Sequence, residues 1–582
     1  MSPEPLGLAE ASAQLCAPGQ LFEIGTATVL GIELRVWKHA PTSLRAVLDL
    51  SAVHADKDFV VYEDERLTFD GHYRAVSTMA SRLLQMGVVR GDRVAIAMRN
   101  LPEWVVAFWS AIAVGAVAVP LNAWWTGDDL AYGLSDSGAR VLFCDTERLE
   151  RLSTHLAELE FLSHVLVVAE DRLGPPKLAG DFGATDVRAY ADVLGHVPSD
   201  ATPPTVEVDP DDDATIFYTS GTTGRPKGAV GTHRNACTNL MNLFFIGQRA
   251  QLRFGDPNAQ PSGVQNSFLL SVPLFHATGC LASMVVNAAA GGKLVLMHHF
   301  DAERALELIE REQITTFGGV PTMALQILDS PDFASRDTTS VRSVSYGGAP
   351  APPELVRRIK QAFPDGQPGN GYGLTETSAA TSMNTGPDYV ARPDSVGTAV
   401  PVTDVAVVPE DYEGTEPPAD RAQGPQVTGE LWIRGPQVVR GYWNRPEETA
   451  LIFTNGWLHT GDVARIDDEG FIYIVDRAKD VIIRGGENVY SVEVEAALFE
   501  HPDVADCAVI GVPHPTLGEE VGAVVIPRGG RPIDEAALRD HVAAKLARYN
   551  VPTRIWFRDG PLPRNPAGKV LKRQLRDELV GS

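Results

Sequence analysis

The chain has 582 residues, 44% of them hydrophobic and 21% charged, a balance that supplies a sizeable core and excludes a disordered or fibrous protein. Fifty Lys and Arg against 75 Asp and Glu leave a formal charge of −25. That acidity argues against a nucleic-acid partner, though not against a local basic site for one anionic cofactor. The five cysteines (Cys16, Cys144, Cys237, Cys280 and Cys507) include no Cys-x-x-Cys pair. They argue against a disulfide framework or a zinc site of the usual spacing, and fit a reducing, cytoplasmic compartment. The first basic residue is Arg35, after Glu4, Glu10 and Glu23, so no secretory signal is expected.

Residues 64–87 read as a hairpin followed by a helix capped by Thr68, with Tyr73, Val76, Ala80, Leu83 and Leu84 at helical spacing. Residues 104–127 carry no charge and imitate a membrane span, but Pro120 and Asn122 interrupt them. They are expected to form a buried helix starting at Pro102 and a short strand at 116–121, leaving no transmembrane segment. Strands at 93–98, 139–145 and 164–170 alternate with helices, and the rhythm returns at 268–273, 292–297, 314–319 and 341–347 with a helix capped by Asp301. Short apolar runs separated by amphipathic helices predict α/β architecture with two mainly parallel sheets. Residues 171–213 are rich in Pro, Gly and Asp and read as connection with little core, and 411–428 as a polar surface loop. Strands at 429–435 and 470–476 have a more antiparallel pattern. From Lys479 onward, helices at 491–499 and 534–548 with strands at 507–512 and 521–526 suffice for a second α+β domain. The expected division is therefore 1–478 and 479–582.

The most informative segment is Tyr-Thr-Ser-Gly-Thr-Thr-Gly-Arg-Pro-Lys-Gly at 218–228, after an apolar strand. Its glycines, including Gly221, let a ligand approach the backbone. The hydroxyls of Thr219, Ser220, Thr222 and Thr223 add donors, and Lys227 adds a cation, which together make a phosphate cradle. Lys227 lies between Pro226 and Gly228, so this is not a Walker A loop.

Here the sequence closely resembles the adenylate-forming superfamily: acyl-CoA synthetases, peptide-synthetase adenylation domains and beetle luciferases. The likeness runs in order through nearly the whole chain. It implies a large N-terminal domain with two sheets and a small β-barrel-like subdomain, and a small mobile α+β C-terminal domain. In Gly-Tyr-Gly-Leu-Thr-Glu-Thr at 371–377, preceded by Asn370, the resemblance has Tyr372 stack on adenine between Gly371 and Gly373. It has Thr375 contact the α-phosphate and Glu376 bind magnesium, with Thr222 as a second metal contact. A hard cation held by a carboxylate and phosphate oxygens agrees with that role. Gly347-Gly348-Ala349-Pro350 matches the adenine-flanking loop. Asp462 of Thr-Gly-Asp would accept the ribose hydroxyls, assisted by Arg477; a carboxylate, being acceptor-only, suits a diol. Near the C-terminus, Pro-Arg-Asn-Pro-Ala-Gly-Lys at 563–569 places Lys569 as the lysine that reaches the carboxylate and α-phosphate.

The resemblance implies two half-reactions: carboxylate and ATP give acyl-AMP and pyrophosphate, then a thiol takes the acyl group and AMP leaves. Lys479 matches the hinge, and Gly485 and Gly486 match a loop facing the thiol tunnel. Ile483 stands where the luciferase pattern has lysine, which favours the acyl-CoA branch. His276 matches an aromatic position gating thiol entry, with an ordinary core histidine as the alternative. Val320, Met323 and Ser378 are expected to line an acyl pocket. The implied activity is ATP- and Mg2+-dependent ligation of CoA to a medium- or long-chain fatty acid. The alternatives are an aromatic or alicyclic acid, or a carrier-protein thiol as acceptor. Peripheral membrane contact and a homodimer stay open.

Overall fold

The computed structural model describes residues 5–169, 182–219, 225–255, 264–349, 351–409, 412–418, 424, 427–530, 532–565 and 568–581. Its first large sheet has seven strands in the order Lys227–Thr232, Asp213–Thr219, Val117–Pro120, Arg93–Ala97, Val141–Asp145, His164–Val168, Asp186–Ala189. All are parallel except the edge pair made by Lys227–Thr232 and Asp213–Thr219. The second has nine strands, and its six central ones are parallel: Gln367–Tyr372, Ser343–Gly347, Thr316–Gly319, Ser267–Leu270, Lys293–Leu296 and Asp58–Tyr62.

One apolar cluster joins the two sheets. The helix Pro102–Ala113 lies within it, and Trp104, Phe108 and Trp109 are fully buried among Val94, Ile96 and Phe143 of the first sheet and Phe59, Leu270 and Leu294 of the second. That is why the segment is apolar all round without crossing a membrane. Among the described residues no helix is long and apolar enough to cross one. Thr68 caps its helix as expected, its hydroxyl accepting from the Gly71 N–H.

Between the large sheets and the C-terminal residues lies a five-stranded antiparallel sheet built on Gly429–Arg434 and Trp457–Ile466, with Ile472–Arg477 on its flank. The C-terminal residues form their own five-stranded sheet around one long hairpin, Val504–His514 with Gly518–Pro527. The strands expected at 507–512 and 521–526 are its middle.

Two expectations need correction. Of 171–213, residues 182–213 are described, and they are not mere connection. The strand Asp186–Ala189 extends the first sheet, and the helix Tyr190–Leu194 buries Tyr190 and Val193 in the joint core. A four-residue strand ending in Ala189 has too short an apolar run to register as periodicity. The helix expected over 534–548 stops at Ala543, and a separate 3-10 turn covers Arg548–Asn550.

Because Trp109 is fully buried where the two sheets meet, Trp109→Ala is expected to cost about 3–5 kcal/mol, read as an earlier urea midpoint. An unchanged midpoint would contradict this placement.

Candidate active site

The strands Ser343–Gly347 and Gln367–Tyr372 run parallel, with Gly347 opposite Gly371, so two glycine-rich turns emerge side by side at the carboxyl edge of the sheet. Ligands bind at this edge in open α/β sheets. A Cβ on Gly347 would lie 2.5 Å from the Gly371 carbonyl oxygen, and one on Gly373 would lie 1.7 Å from that of Ala379. Gly348, at φ +73, faces open space, which leaves room for a ring or phosphate against the backbone. Beyond the 3-10 turn Thr375–Thr377, two consecutive non-glycine residues take left-handed backbone, Ser378 at φ 55 and Ala379 at φ 99. Such strain persists only where the surroundings over-determine it, often at working sites. Here the Ser378 hydroxyl donates to the Gln437 carbonyl at 3.0 Å, and the Ala380 N–H donates to Asn239 Oδ1 at 3.0 Å.

Those bonds fix Glu376 on the cleft side. The Tyr442 hydroxyl donates to Glu376 Oε1 at 2.7 Å, and the Val439 N–H donates to the Glu376 carbonyl at 2.9 Å. Residues 439–443 continue alongside the strand Lys227–Thr232, with Val230 N–H donating to the Gly441 carbonyl at 2.9 Å and Trp443 N–H to that of Gly228 at 2.8 Å. Lys227 pairs with Glu448, and its ammonium stands 5.4 Å from the centre of the Tyr442 ring. Thr219 faces Lys227 across the strand pair. Ser220, Gly221, Thr222 and Thr223 lie outside the described residues.

The donor set suits magnesium. Among the described residues no cluster of three or more His, Cys, Asp or Glu side chains could hold a metal. Glu376 has one oxygen taken by Tyr442 and, among the described residues, no protein donor on Oε2. Mg2+ is held in just this way, by one or two carboxylates with substrate phosphates and waters completing its shell.

Across the cleft, Asp462 is only 3% exposed. It accepts from the Tyr372 hydroxyl at 2.7 Å and from Arg477 Nε at 2.9 Å. Arg477 stands opposite Asp462 in the strand pairing. Burial, then the Asp462 charge, push the Tyr372 phenol well above its ordinary value, so it remains a donor. A carboxylate has about four lone-pair positions, so these two bonds leave capacity for a diol.

Lys569 arrives here from the far end of the chain. Burial, and then Arg477, bring its ammonium down to about 8, while Asp462 and Asp480 favour its charged form. Its described neighbours are hydrogen-bonded: Asn565 exchanges two 2.9 Å bonds with the Lys569 backbone, and Arg564 grips Asp506 at 2.7 Å and the Gly568 carbonyl at 2.7 Å. Gly568, at φ +80, packs on Val320 so closely that a Cβ would lie 2.5 Å from Val320 Cγ2. Lys479 sits exposed in the 3-10 turn Ala478–Asp480, and partial desolvation lowers its pKa. Gly485 and Gly486 are the centre of a two-residue hairpin turn in which Arg484 pairs with Glu487. Their φ values of 61 and 90 are those a primed turn requires.

His276, half-buried, precedes a π-helical segment Thr278–Met284. Its Nδ1 accepts from the Thr278 N–H at 3.4 Å, and burial lowers its pKa, so the ring is neutral near pH 7. Asn370, 6% exposed, lies within the sheet with its side chain toward the Tyr389 hydroxyl, and Ala349 follows the open turn at Gly348. Met323 packs against Ser271, with Oγ to Sδ at 3.5 Å. Ser378, expected in the acyl pocket, is buried with its hydroxyl committed to Gln437. Val320 is occupied by the Lys569 loop. Tyr442, Glu448, Asn239 and Gln437 were not anticipated; a Gly-Tyr-Trp run following Val438-Val439-Arg440 was the available signal.

The AMP-binding enzyme family matches residues 49–443, and the AMP-binding enzyme C-terminal domain matches 493–569. The long-chain-fatty-acid–CoA ligase of Bacillus subtilis is 32% identical over 559 residues, 92% of this chain and 94% of that protein. Feruloyl-CoA synthase of an Amycolatopsis species is 36% identical over 513 residues, 88% of this chain and 93% of that one. Among solved structures, the anthranilate CoA ligase AuaEII in complex with anthranoyl-AMP superposes with a TM-score of 0.80 at 26% identity, over 92% of this chain and 97% of that one. The glycine turns, the carboxylate pair and the incoming lysine thus occur in a chain that belongs to the AMP-binding enzymes of the adenylate-forming superfamily, as an AMP-forming acid–CoA ligase of the acyl-CoA synthetase branch.

Proposed function

We propose that this ligase activates a medium- or long-chain fatty acid, and that Lys569, Glu376, Asp462 and Arg477 carry its adenylation step. The observation behind this reading is the convergence of Lys569, Asp462 and Arg477 in one cleft. A substrate carboxylate oxygen attacks the α-phosphorus of ATP, the bond to pyrophosphate breaks, and acyl-AMP forms. The reaction brings anionic groups together, so the Lys569 cation, partly shielded from water, favours the transition state. Asp462 accepts from the ribose and Tyr372 supports it. Thr375 and the backbones of Gly348, Ala349, Asn370, Gly371 and Gly373 border the nucleotide, with the phosphate chain running toward Thr219, the residues 220–223 and Lys227. Glu376, assisted by Thr222, would hold Mg2+, which neutralises charge on the phosphates. In the second step the CoA thiolate attacks the acyl carbonyl, the C–O bond to AMP breaks, and the thioester leaves.

The same lysine cannot occupy the cleft while the thiol enters, so residues 479–582 turn about Lys479 between steps, bringing Gly485 and Gly486 to the tunnel, with His276 at its mouth. All five thiols are unpaired and four are buried, which supports a reducing, cytoplasmic setting. A second reading, an aromatic acid, draws on the feruloyl-CoA synthase that is 36% identical.

The acid class is tested by AMP release and thioester formation with ATP, Mg2+ and CoA on octanoate, palmitate, ferulate and benzoate. The fatty acids are expected to have the higher kcat/KM; a preference for ferulate would replace this reading with the second one. Activity that appears only with a carrier-protein thiol would remove CoA as acceptor.

For the division of labour, Lys569→Ala should lose adenylation about a hundred- to a thousandfold while still making thioester from supplied acyl-AMP. Lys479→Pro should spare adenylation and impair thioester synthesis. Equal loss of both steps in both variants would refute the alternation of domains.

Because the ammonium of Lys569 is the working form and its pKa is brought down to about 8, kcat/KM for pyrophosphate exchange should fall as pH rises through that value. Below it the lysine is charged and the rate is sustained. Lys569→Arg should move the falling limb upward, since guanidinium stays protonated. An unshifted limb would assign it to another group.

A further inference from the structure

We infer that Tyr442 is a positioning residue for the metal-facing carboxylate, setting which oxygen of Glu376 is presented to the cleft. The inference deepens the proposed function and rests on its reading of Glu376.

Three observations converge. The Tyr442 hydroxyl donates to Glu376 Oε1 at 2.7 Å, and no other side chain donates to that carboxylate among the described residues. The ring has a fixed seat: Tyr442 N–H donates to Thr449 Oγ1 at 2.9 Å, and Tyr442 bridges to Ala229 in the strand that begins at Lys227. Lys227, whose ammonium is 5.4 Å from the ring centre, lies on the same side chain's face. One tyrosine therefore touches both charges expected to meet the phosphate chain of the nucleotide.

A glutamate on a short 3-10 turn has three side-chain torsions and could turn its carboxylate in several directions. A phenol that captures Oε1 leaves Oε2 as the oxygen facing the metal, and the bond strengthens on an ionised acceptor. Groups that orient a metal-binding side chain typically affect metal affinity 10- to 100-fold.

Tyr442→Phe keeps the ring, its packing and the contact with Lys227 while deleting the hydroxyl. Two quantities are read: the Mg2+ concentration for half-maximal pyrophosphate exchange, and the Mg2+ dependence of binding of α,β-methylene-ATP by calorimetry, where no turnover occurs. Both half-saturating Mg2+ concentrations are expected to rise about tenfold, with exchange recovering as Mg2+ is raised. An unchanged Mg2+ requirement, or a lowered plateau without a shift, would overturn the inference by leaving Tyr442 a merely structural role. Glu376→Gln separates the two levels. If it leaves both Mg2+ dependences at the native value, the reading of Glu376 itself fails. If it abolishes Mg2+ dependence while Tyr442→Phe behaves as wild type, only the role of Tyr442 fails.

Discussion

The structure depends on holding one cation, the Lys569 ammonium, at a place where burial opposes its charge. Water is partly removed and Arg477 adds a second positive charge, yet the ammonium is what polyphosphate chemistry needs. Asp462 and Asp480 offset that penalty. Within a partly desolvated cleft, each of these interactions is stronger than it would be in water. The loop that carries the lysine is pinned on both sides, by Arg564 on Asp506 and by Gly568 on Val320. Rigidity matters because a donor held in place needs no reorganisation as charge develops.

The cleft itself is a product of sheet topology. Parallel strands end together, so the turns after Gly347 and Gly371 lie beside each other although 24 residues apart in the chain. The strained backbone at Ser378 and Ala379 is locked by the Gln437 carbonyl and the Asn239 side-chain amide, both buried. Residues 439–443 tie that turn to the strand carrying Lys227. Glu376, Lys227 and the Tyr442 ring between them are thereby tied together through paired backbone.

The residues proposed for the site could be named from the sequence because their motifs are local. Glycines whose carbonyl neighbours forbid a Cβ, hydroxyls gathered in one turn, and a Gly-Lys pair near the C-terminus each leave a mark within a few residues. For Tyr442 the Gly-Tyr-Trp run marked only the residue and not its partner, and Glu448 left no mark, since their partners lie 66 and 221 positions away in sequence. For Ser378, adjacency to a motif said nothing about the direction its hydroxyl takes once the backbone turns left-handed, toward the Gln437 carbonyl. The strand Asp186–Ala189 was invisible because it gains its hydrogen bonds from a neighbouring strand rather than from its own apolar pattern.

Local periodicity, turn chemistry and composition were sufficient to establish the α/β class, the two-sheet plan, the buried helix that imitates a membrane span, and the residue types for nucleotide chemistry. These follow from interactions within a few residues along the chain, which periodicity records. Only the tertiary structure decided that Lys569 comes within the electrostatic reach of Asp462 and Arg477, that Arg477 and Tyr372 brace the same carboxylate, and that Tyr442 sits between Glu376 and Lys227. Those contacts join segments tens to hundreds of residues apart, and their geometry is set by strand order, burial and the fit of one glycine against one valine.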